Sequence, residues 1–435
     1  MNNKTETVNI IGAGLAGCEA ALYLSASGVR VRLFECKPIE KSPAHSSDGF
    51  AELVCSNSLK SDLLSTASGL LKSELRYLGC RLISVADSVK VPAGSALAVD
   101  REKFSATVTK LIEEDKNIEI RHEIVTDWSE DEYTIIATGP LTLTELSQSI
   151  ARRLGEGLHF YDAAAPIVDG ASIDFSKAFT ADRYGRGEGD YVNCPMDKPQ
   201  YEEFIRALVS AECVILKNFE KSDVFEGCMP VEIMAKRGAD TLRFGPLRPV
   251  GFSDAAGKRP YAVVQLRREN TEGESYNIVG FQTNLKFKEQ ERVFKLIPAL
   301  HNAEFLRYGV MHRNTFINAP LTINRHFQTL KYPKTFIAGQ LSGVEGYVES
   351  IMSGLVAAMC VAALIKNRPF IEFPASTVVG ALTKYLETPN ADFQPMNANF
   401  GLLPPPEENI RDKNAKKLFL SEKSLKDLKK SRILI

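Results

Sequence analysis

One stretch constrains this chain more than any other: Val8-Asn9-Ile10-Ile11-Gly12-Ala13-Gly14-Leu15-Ala16-Gly17, answered 18 residues later by Glu35. An apolar run enters a Gly-x-Gly-x-x-Gly turn, and Ala16, Ala20, Ala21 and Leu24 continue as a helix that Gly28 ends. A second run, Val29 to Phe34, then stops at the acid. Each glycine has a steric task. Gly12 permits the tight turn, Gly14 lets backbone N–H groups approach a pyrophosphate, and Gly17 lets helix and sheet pack closely. Glu35 stands where a carboxylate accepts both hydroxyls of an adenosine ribose. A chance glycine turn has no need of the strand, the helix and the terminal acid together. The position near the N-terminus suits FAD, with NAD as the competing ligand.

Two later stretches fit the same domain. Tyr133-Thr134-Ile135-Ile136-Ala137-Thr138-Gly139 is a strand ending in small residues, which leave room for a dinucleotide. Thr335-Phe336-Ile337-Ala338-Gly339-Gln340 is another, followed by Gly343, Gly346 and Tyr347 at the start of a small-residue helix. Free N–H groups and the helix dipole at such a turn suit an anion or a polar ring, and Tyr347 offers an aromatic face beside it.

Between these stretches the character changes. From about Phe179 the chain is glycine-rich and charged, then mixes alternating strands with short helices. The reading is an α/β protein: a discontinuous Rossmann-type FAD-binding domain, residues 1–181 and 326–435, interrupted by an inserted α/β domain at 182–325. At 435 residues the chain is too long for one simple core. The apolar run Gly354 to Ile365 is about a dozen residues, which suits a buried helix better than a bilayer span. The N-terminus enters a strand without the pattern of a signal peptide. A cytoplasmic protein with no membrane partner is expected.

Eight cysteines, at 18, 36, 55, 80, 194, 213, 228 and 360, include no Cys-x-x-Cys pair, so no metal site and no disulfide framework is expected. Cys18 and Cys360 sit in apolar helical runs and read as packing residues. Cys55 and Cys228 stand in polar or turn-forming contexts. A net charge of −1 gives no overall attraction to nucleic acid, so affinity for RNA must come from local basic patches. Residues 411–432 carry nine Lys/Arg against three acids on a helical pattern with Leu418, Leu420, Leu425 and Leu428. This helix reads equally as a solvated face or an RNA-facing edge.

Four segments carry a resemblance that spans essentially the whole chain. They are Gly12 to Ala21, Leu53-Val54-Cys55-Ser56-Asn57-Ser58-Leu59, Phe225-Glu226-Gly227-Cys228-Met229-Pro230-Val231-Glu232, and Gly339-Gln340 through Gly343 to Ser350. Together they resemble the bacterial folate- and FAD-dependent tRNA uracil-5-methyltransferases (TrmFO), small relatives of the GidA/MnmG tRNA-modifying flavoproteins. The larger branch carries a further C-terminal helical domain that this length does not accommodate. The resemblance implies formation of 5-methyluridine in the T-loop of tRNA. The carbon would come from 5,10-methylenetetrahydrofolate and the electrons from NAD(P)H through FAD. A paralogue acting on large-subunit ribosomal RNA is implied as an alternative target.

Uracil C5 is a poor nucleophile until something adds to C6, and a thiolate adds and leaves readily. The family uses a cysteine at each of the positions matching Cys228 and Cys55. Cys228 is expected as the nucleophile and Cys55 as the base that takes the C5 proton. Lys60, Arg243, Arg248 and Arg267 are candidates for phosphate or folate-carboxylate contacts, or for surface ion pairs. The rival from another class is an FAD-linked oxidoreductase of a small metabolite, which accounts for Glu35 and the glycines but not for two loop cysteines and a basic tail.

Overall fold

The computed structural model describes residues 6–42, 44–155, 158–181, 190–214, 229–253, 259–391, 393–407, 410–431 and 433. At its centre five strands lie in the order Thr335–Ile337, Thr134–Ile136, Thr7–Ile11, Arg30–Glu35, Ile118–His122, with every pairing parallel. Parallel sheets covered on both faces are built from near-continuous apolar runs, and Val8, Ile10, Leu33, Ile135 and Phe336 are accordingly buried. Ile11 pairs with Ile136 and Phe34, so Gly12, Glu35 and Ala137 emerge side by side at the carboxyl edge, where doubly wound sheets bind ligands.

The helix Leu15–Ala26 packs against the long helix Tyr347–Ile365 almost backbone to backbone. A Cβ on Gly17 would stand 1.8 Å from the Gly12 carbonyl oxygen, and one on Gly354 would stand 2.1 Å from that of Ala16. No side chain fits at either position. The long helix is apolar enough to cross a membrane by length and composition, yet 83% of its apolar window is buried inside the fold. Truncating Leu355 at its centre removes about 2–5 kcal/mol of stability.

A second sheet runs Phe179–Thr180, Tyr191–Met196, Ala262–Arg268, Ser275–Ile278, Ile167–Asp169, Phe305–Arg307, all antiparallel. The boundary expected at 182 falls inside it, because Ile167–Asp169 and Phe179–Thr180 are already strands of this sheet. A ribbon of Leu158–Ala163 paired with Met311–Phe316 carries the chain out and back, so the return precedes the expected 325. The helix Lys198–Ser210 lies on this sheet. Asp197 starts it with a capping box, its carboxylate accepting from Gln200 N while Gln200 Oε1 accepts from Asp197 N, both at 2.9 Å. Phe204, Phe281, Phe294 and Leu266 form a core separate from that of the first domain.

The basic C-terminal segment is the helix Lys413–Lys430. Its buried face is Leu420, Ser421, Ser424 and Leu428, whereas Leu418 is 44% exposed, so the apolar stripe is narrower than the leucine spacing suggested. The helix is keyed by polar contacts. Ser424 Oγ donates to Glu74 at 2.5 Å, and Glu74 also accepts from Val378 N and Val379 N at the start of the helix Val378–Glu387. Burial pushes the Glu74 carboxyl up to about 7. Its exposed face carries Lys413, Lys416, Lys417, Lys429 and Lys430.

Candidate active site

A cleft opens along the carboxyl edge of the parallel sheet. Its walls include Gly12, Gly14, Glu35, Ala137, Thr138, Gly139, Gly339, Gln340 and Tyr347. A Cβ placed on Gly14 would meet nothing within 4 Å, and its φ of −77° is open to any residue. The missing side chain there keeps cleft volume free rather than relieving a clash. Glu35 is buried, its carboxylate accepting from Ala13 N at 2.8 Å and Lys37 N at 3.0 Å, which fixes it across the mouth of the glycine turn. The segment after Glu35 folds back over the cleft, with Ala51 N donating to Ala13 O at 2.9 Å. Glycine where a pyrophosphate would lie and a fixed carboxylate at the end of the second strand fit the two ends of an adenosine diphosphate moiety such as that of FAD.

Three of the expected glycines have other surroundings. Gly17 holds the helix against the turn. Gly343 packs under Phe393, whose ring a Cβ would meet at 2.7 Å, and Gly346 begins the long helix beside Glu349.

The Cys55 loop stands where the two domains meet. The Tyr347 hydroxyl oxygen accepts from Cys55 N at 2.6 Å and Ser56 N at 3.1 Å, so the wall of the cleft holds the loop directly. Arg101 and Arg307 donate to the carbonyl oxygens of Leu53 and Val54. Arg267 reaches from the second sheet to Asn57 Oδ1 at 2.8 Å and Ser56 Oγ at 2.7 Å. Asn57 is fully buried and donates across the interface to Arg268 O at 2.8 Å and, within its own domain, to Val99 O at 3.0 Å. Every residue from Leu53 to Asn57 is thereby fixed by an atom from elsewhere in the chain.

Around this loop Arg101, Arg267 and Arg307 stand with one carboxylate, Glu269. Glu269 lies 2.7 Å from Arg101 Nη2, although Arg101 Nη2 and Glu269 Oε1 are both buried without a hydrogen bond of good geometry. Burial is the largest influence on Arg101 and opposes its charge, but Glu269 together with Tyr347 and Cys55 holds the guanidinium above its ordinary value. Burial and the neighbouring Arg101 lower Arg307. Burial, with a smaller contribution from Cys55, pushes the Tyr347 phenol well above its ordinary range, which keeps it protonated at neutral pH.

Cys228 lies outside the described residues. Cys18, Cys80, Cys194 and Cys360 are buried, and burial raises each of their thiols. Of the four basic candidates, Arg267 holds the cysteine loop. Lys60 is within 3.7 Å of Glu345 and 3.9 Å of Glu349. Arg243 and Arg248 lie in a separate cleft of the inserted domain. Sequence reading missed Arg101, Arg307 and Glu269, because a helix-start arginine and two strand-end charges look like surface residues until the domains meet. It also missed His45 in the first cleft, which burial and then Lys37 lower from its ordinary value.

Sheet, cleft and insertion define a flavoprotein of the GidA type. The family described as "Glucose inhibited division protein A" matches residues 7–369. The solved structure of Aquifex aeolicus GidA superposes with a TM-score of 0.71 over 98% of this chain and 74% of that one, at 17% identity. Similarity in sequence is much greater to proteins named "Methylenetetrahydrofolate--tRNA-(uracil-5-)-methyltransferase TrmFO". That of Acetivibrio thermocellus is 55% identical over 97% of this chain and 98% of its own length. That of Enterococcus faecalis is 52% identical over 97% of both. The chain belongs to the TrmFO branch of the GidA family.

Proposed function

We propose that the protein methylates C5 of a uridine in the T-loop of tRNA, using 5,10-methylenetetrahydrofolate as carbon donor, FAD as cofactor and NAD(P)H as reductant. The observation that carries this reading is the tie between the dinucleotide cleft and Cys55 through the Tyr347 hydroxyl. Uracil C5 chemistry needs a thiol next to its redox centre, and this tie sets the Cys55 backbone beside the cleft.

Gly12, Gly14, Glu35, Ala137, Thr138, Gly139, Gly339 and Gln340 would hold FAD, which when bound passes on the two electrons of NAD(P)H. The remaining tasks belong to side chains. Cys228 adds as thiolate to C6 of the uracil, which makes C5 nucleophilic. C5 then bonds to the folate-derived carbon and gives up its proton to Cys55. Loss of the Cys228 thiolate from C6 restores the ring; the two electrons, delivered with a proton as hydride, replace the bond from the donated carbon to the nitrogen that carried it, which leaves with that electron pair and takes up a proton as the methyl group is completed. Tyr347, Arg101, Arg267 and Arg307 position Cys55 for the proton. This chemistry has a cytoplasmic address, where tRNA, reduced folate and NAD(P)H occur together.

The test uses tRNA and ribosomal RNA transcripts with labelled methylenetetrahydrofolate and NAD(P)H. Label in tRNA is expected, and label in ribosomal RNA alone overturns the target. A transcript carrying 5-fluorouracil cannot release its C5 substituent as a proton, so a covalent enzyme–RNA adduct is expected on a denaturing gel. Cys228→Ala is expected to lose the adduct and Cys55→Ala to keep it, with methyl transfer abolished in both. The opposite pattern would exchange the two roles.

A further inference from the structure

The inserted domain has a second cleft, at the far end of the same central strand whose Arg267 holds the Cys55 loop. Among the described residues lining it are Lys177, Lys198, Arg243, Arg248 and Arg259, against one carboxylate, Asp197, which is committed to capping the helix Lys198–Ser210. Just outside the lining, Asp174, Glu202 and Asp240 pair with Lys177, Lys198 and Arg243 at 3.1, 3.7 and 2.8 Å, so the positive excess is a small one. In the cleft Phe244 is 83% exposed.

That exposure is built in. Phe244 ends the one-turn helix Thr241–Phe244, and its neighbours Leu242 and Leu247 are fully buried. Leu247 N donates to Leu242 O at 2.8 Å and Val263 N to Leu247 O at 3.2 Å, closing the turn onto the sheet. Arg243 lies 3.6 Å over the Tyr261 ring and donates to Tyr261 O at 2.9 Å. The backbone on both sides of Phe244 is therefore fixed while its ring faces solvent, rimmed by exposed Arg248 and Arg259. A rigid aromatic face with guanidinium groups around it is the arrangement that stacks a base and pairs its flanking phosphates. Tyr261 and Arg267 are about 20 Å apart at strand spacing, less than one turn of a duplex, which is roughly 34 Å. The span from this cleft to the Cys55 loop is thus within the length of a folded RNA arm.

We propose that this cleft is a docking site for the RNA substrate: an unstacked base lies on Phe244 while adjacent phosphates are held by Arg248, Arg259 and Lys198. The proposal rests on the methyltransferase reading for the identity of the RNA, and it places a second anchor well away from the reacting uridine.

The experiment measures binding of a fluorescent T-arm stem-loop RNA to the FAD-loaded enzyme across a salt series. Phe244→Ala is expected to weaken binding about tenfold or more, and Phe244→Trp to restore it. Arg248→Ala with Arg259→Ala is expected to flatten the dependence of log K on log salt by about 0.7 per lost contact with single-stranded RNA. Flavin absorbance and the unfolding temperature should stay unchanged, since all three side chains are exposed. Unaltered affinity in Phe244→Ala, with wild-type enzyme methylating tRNA, overturns the docking site and leaves the methyltransferase reading standing. Weakened binding in the variants with no methylation by wild type supports the docking site and overturns that reading. A raised KM for NADPH at unchanged RNA affinity would assign the cleft to the nicotinamide dinucleotide instead and overturn the proposal.

Discussion

Replacing Tyr347 by Phe separates two things that this residue does. The ring stays in the wall of the dinucleotide cleft, and the oxygen that accepts from Cys55 N and Ser56 N is lost. Leaving a buried donor without an acceptor costs about 1–3 kcal/mol. Cys55 and Ser56 are only half-buried, so water recovers part of that, and about 2–3 kcal/mol for the pair is the working figure. Arg101, Arg267, Arg307 and Asn57 still hold the rest of the loop. The loss therefore falls on the position of Cys55 rather than on the fold. At 1.4 kcal/mol per factor of ten, the rate of methyl transfer should drop about 30- to 140-fold. Single-turnover methyl transfer to tRNA at saturating folate is the assay, with flavin absorbance as the control that the cleft is intact. A Tyr347→Phe enzyme with full FAD and the wild-type rate would refute the idea that the phenol oxygen sets the thiol in place. Loss of FAD would refute the idea that the ring alone serves the cleft.

Gly14→Val should retain the folded structure and lose flavin absorbance, because its side chain meets no protein atom within 4 Å and fills cleft space instead; a yellow variant would remove Gly14 from the cofactor site. Changing Lys416, Lys417, Lys429 and Lys430 together to Ala should weaken RNA binding and flatten its salt dependence with FAD content unchanged, and unaltered affinity would leave that helix a purely solvated one. Glu74 predicts a pH dependence. Its native carboxyl is raised by burial from 4.5 to about 7, so the native state binds the proton more tightly than the unfolded chain. The cost of the buried charge is absent below about pH 4.5, grows as pH rises, and is complete above about pH 7, amounting to about 3 kcal/mol. Urea unfolding at pH 5 and pH 8 should therefore show wild type losing more stability on going to pH 8 than Glu74→Gln does. Equal losses would show that Glu74 does not titrate in this range.

What the sequence determined by itself was local. The glycine turn, the helix behind it and the acid at Glu35 are tied together by spacing and by the room a backbone needs, and those requirements are the same in any chain. The parallel sheet was equally legible, since continuous apolar runs bounded by glycine have few other places to go. Cys55 was legible as a thiol in a polar loop. Its environment was not, because Arg101, the pair Arg267 and Glu269, and Arg307 come from three separate stretches and converge only when the inserted sheet docks on the first domain. The spread of Ile167–Asp169 and Phe179–Thr180 into that sheet was hidden for the same reason, since short strands acquire their identity from the partners they pair with. The narrow buried stripe of the C-terminal helix was likewise set from outside, by Glu74 and Leu64 rather than by its own leucines. Spacing along a chain fixes what each segment can do alone; which buried charge faces which thiol is decided by contacts between segments far apart in sequence, and only the folded chain contains those.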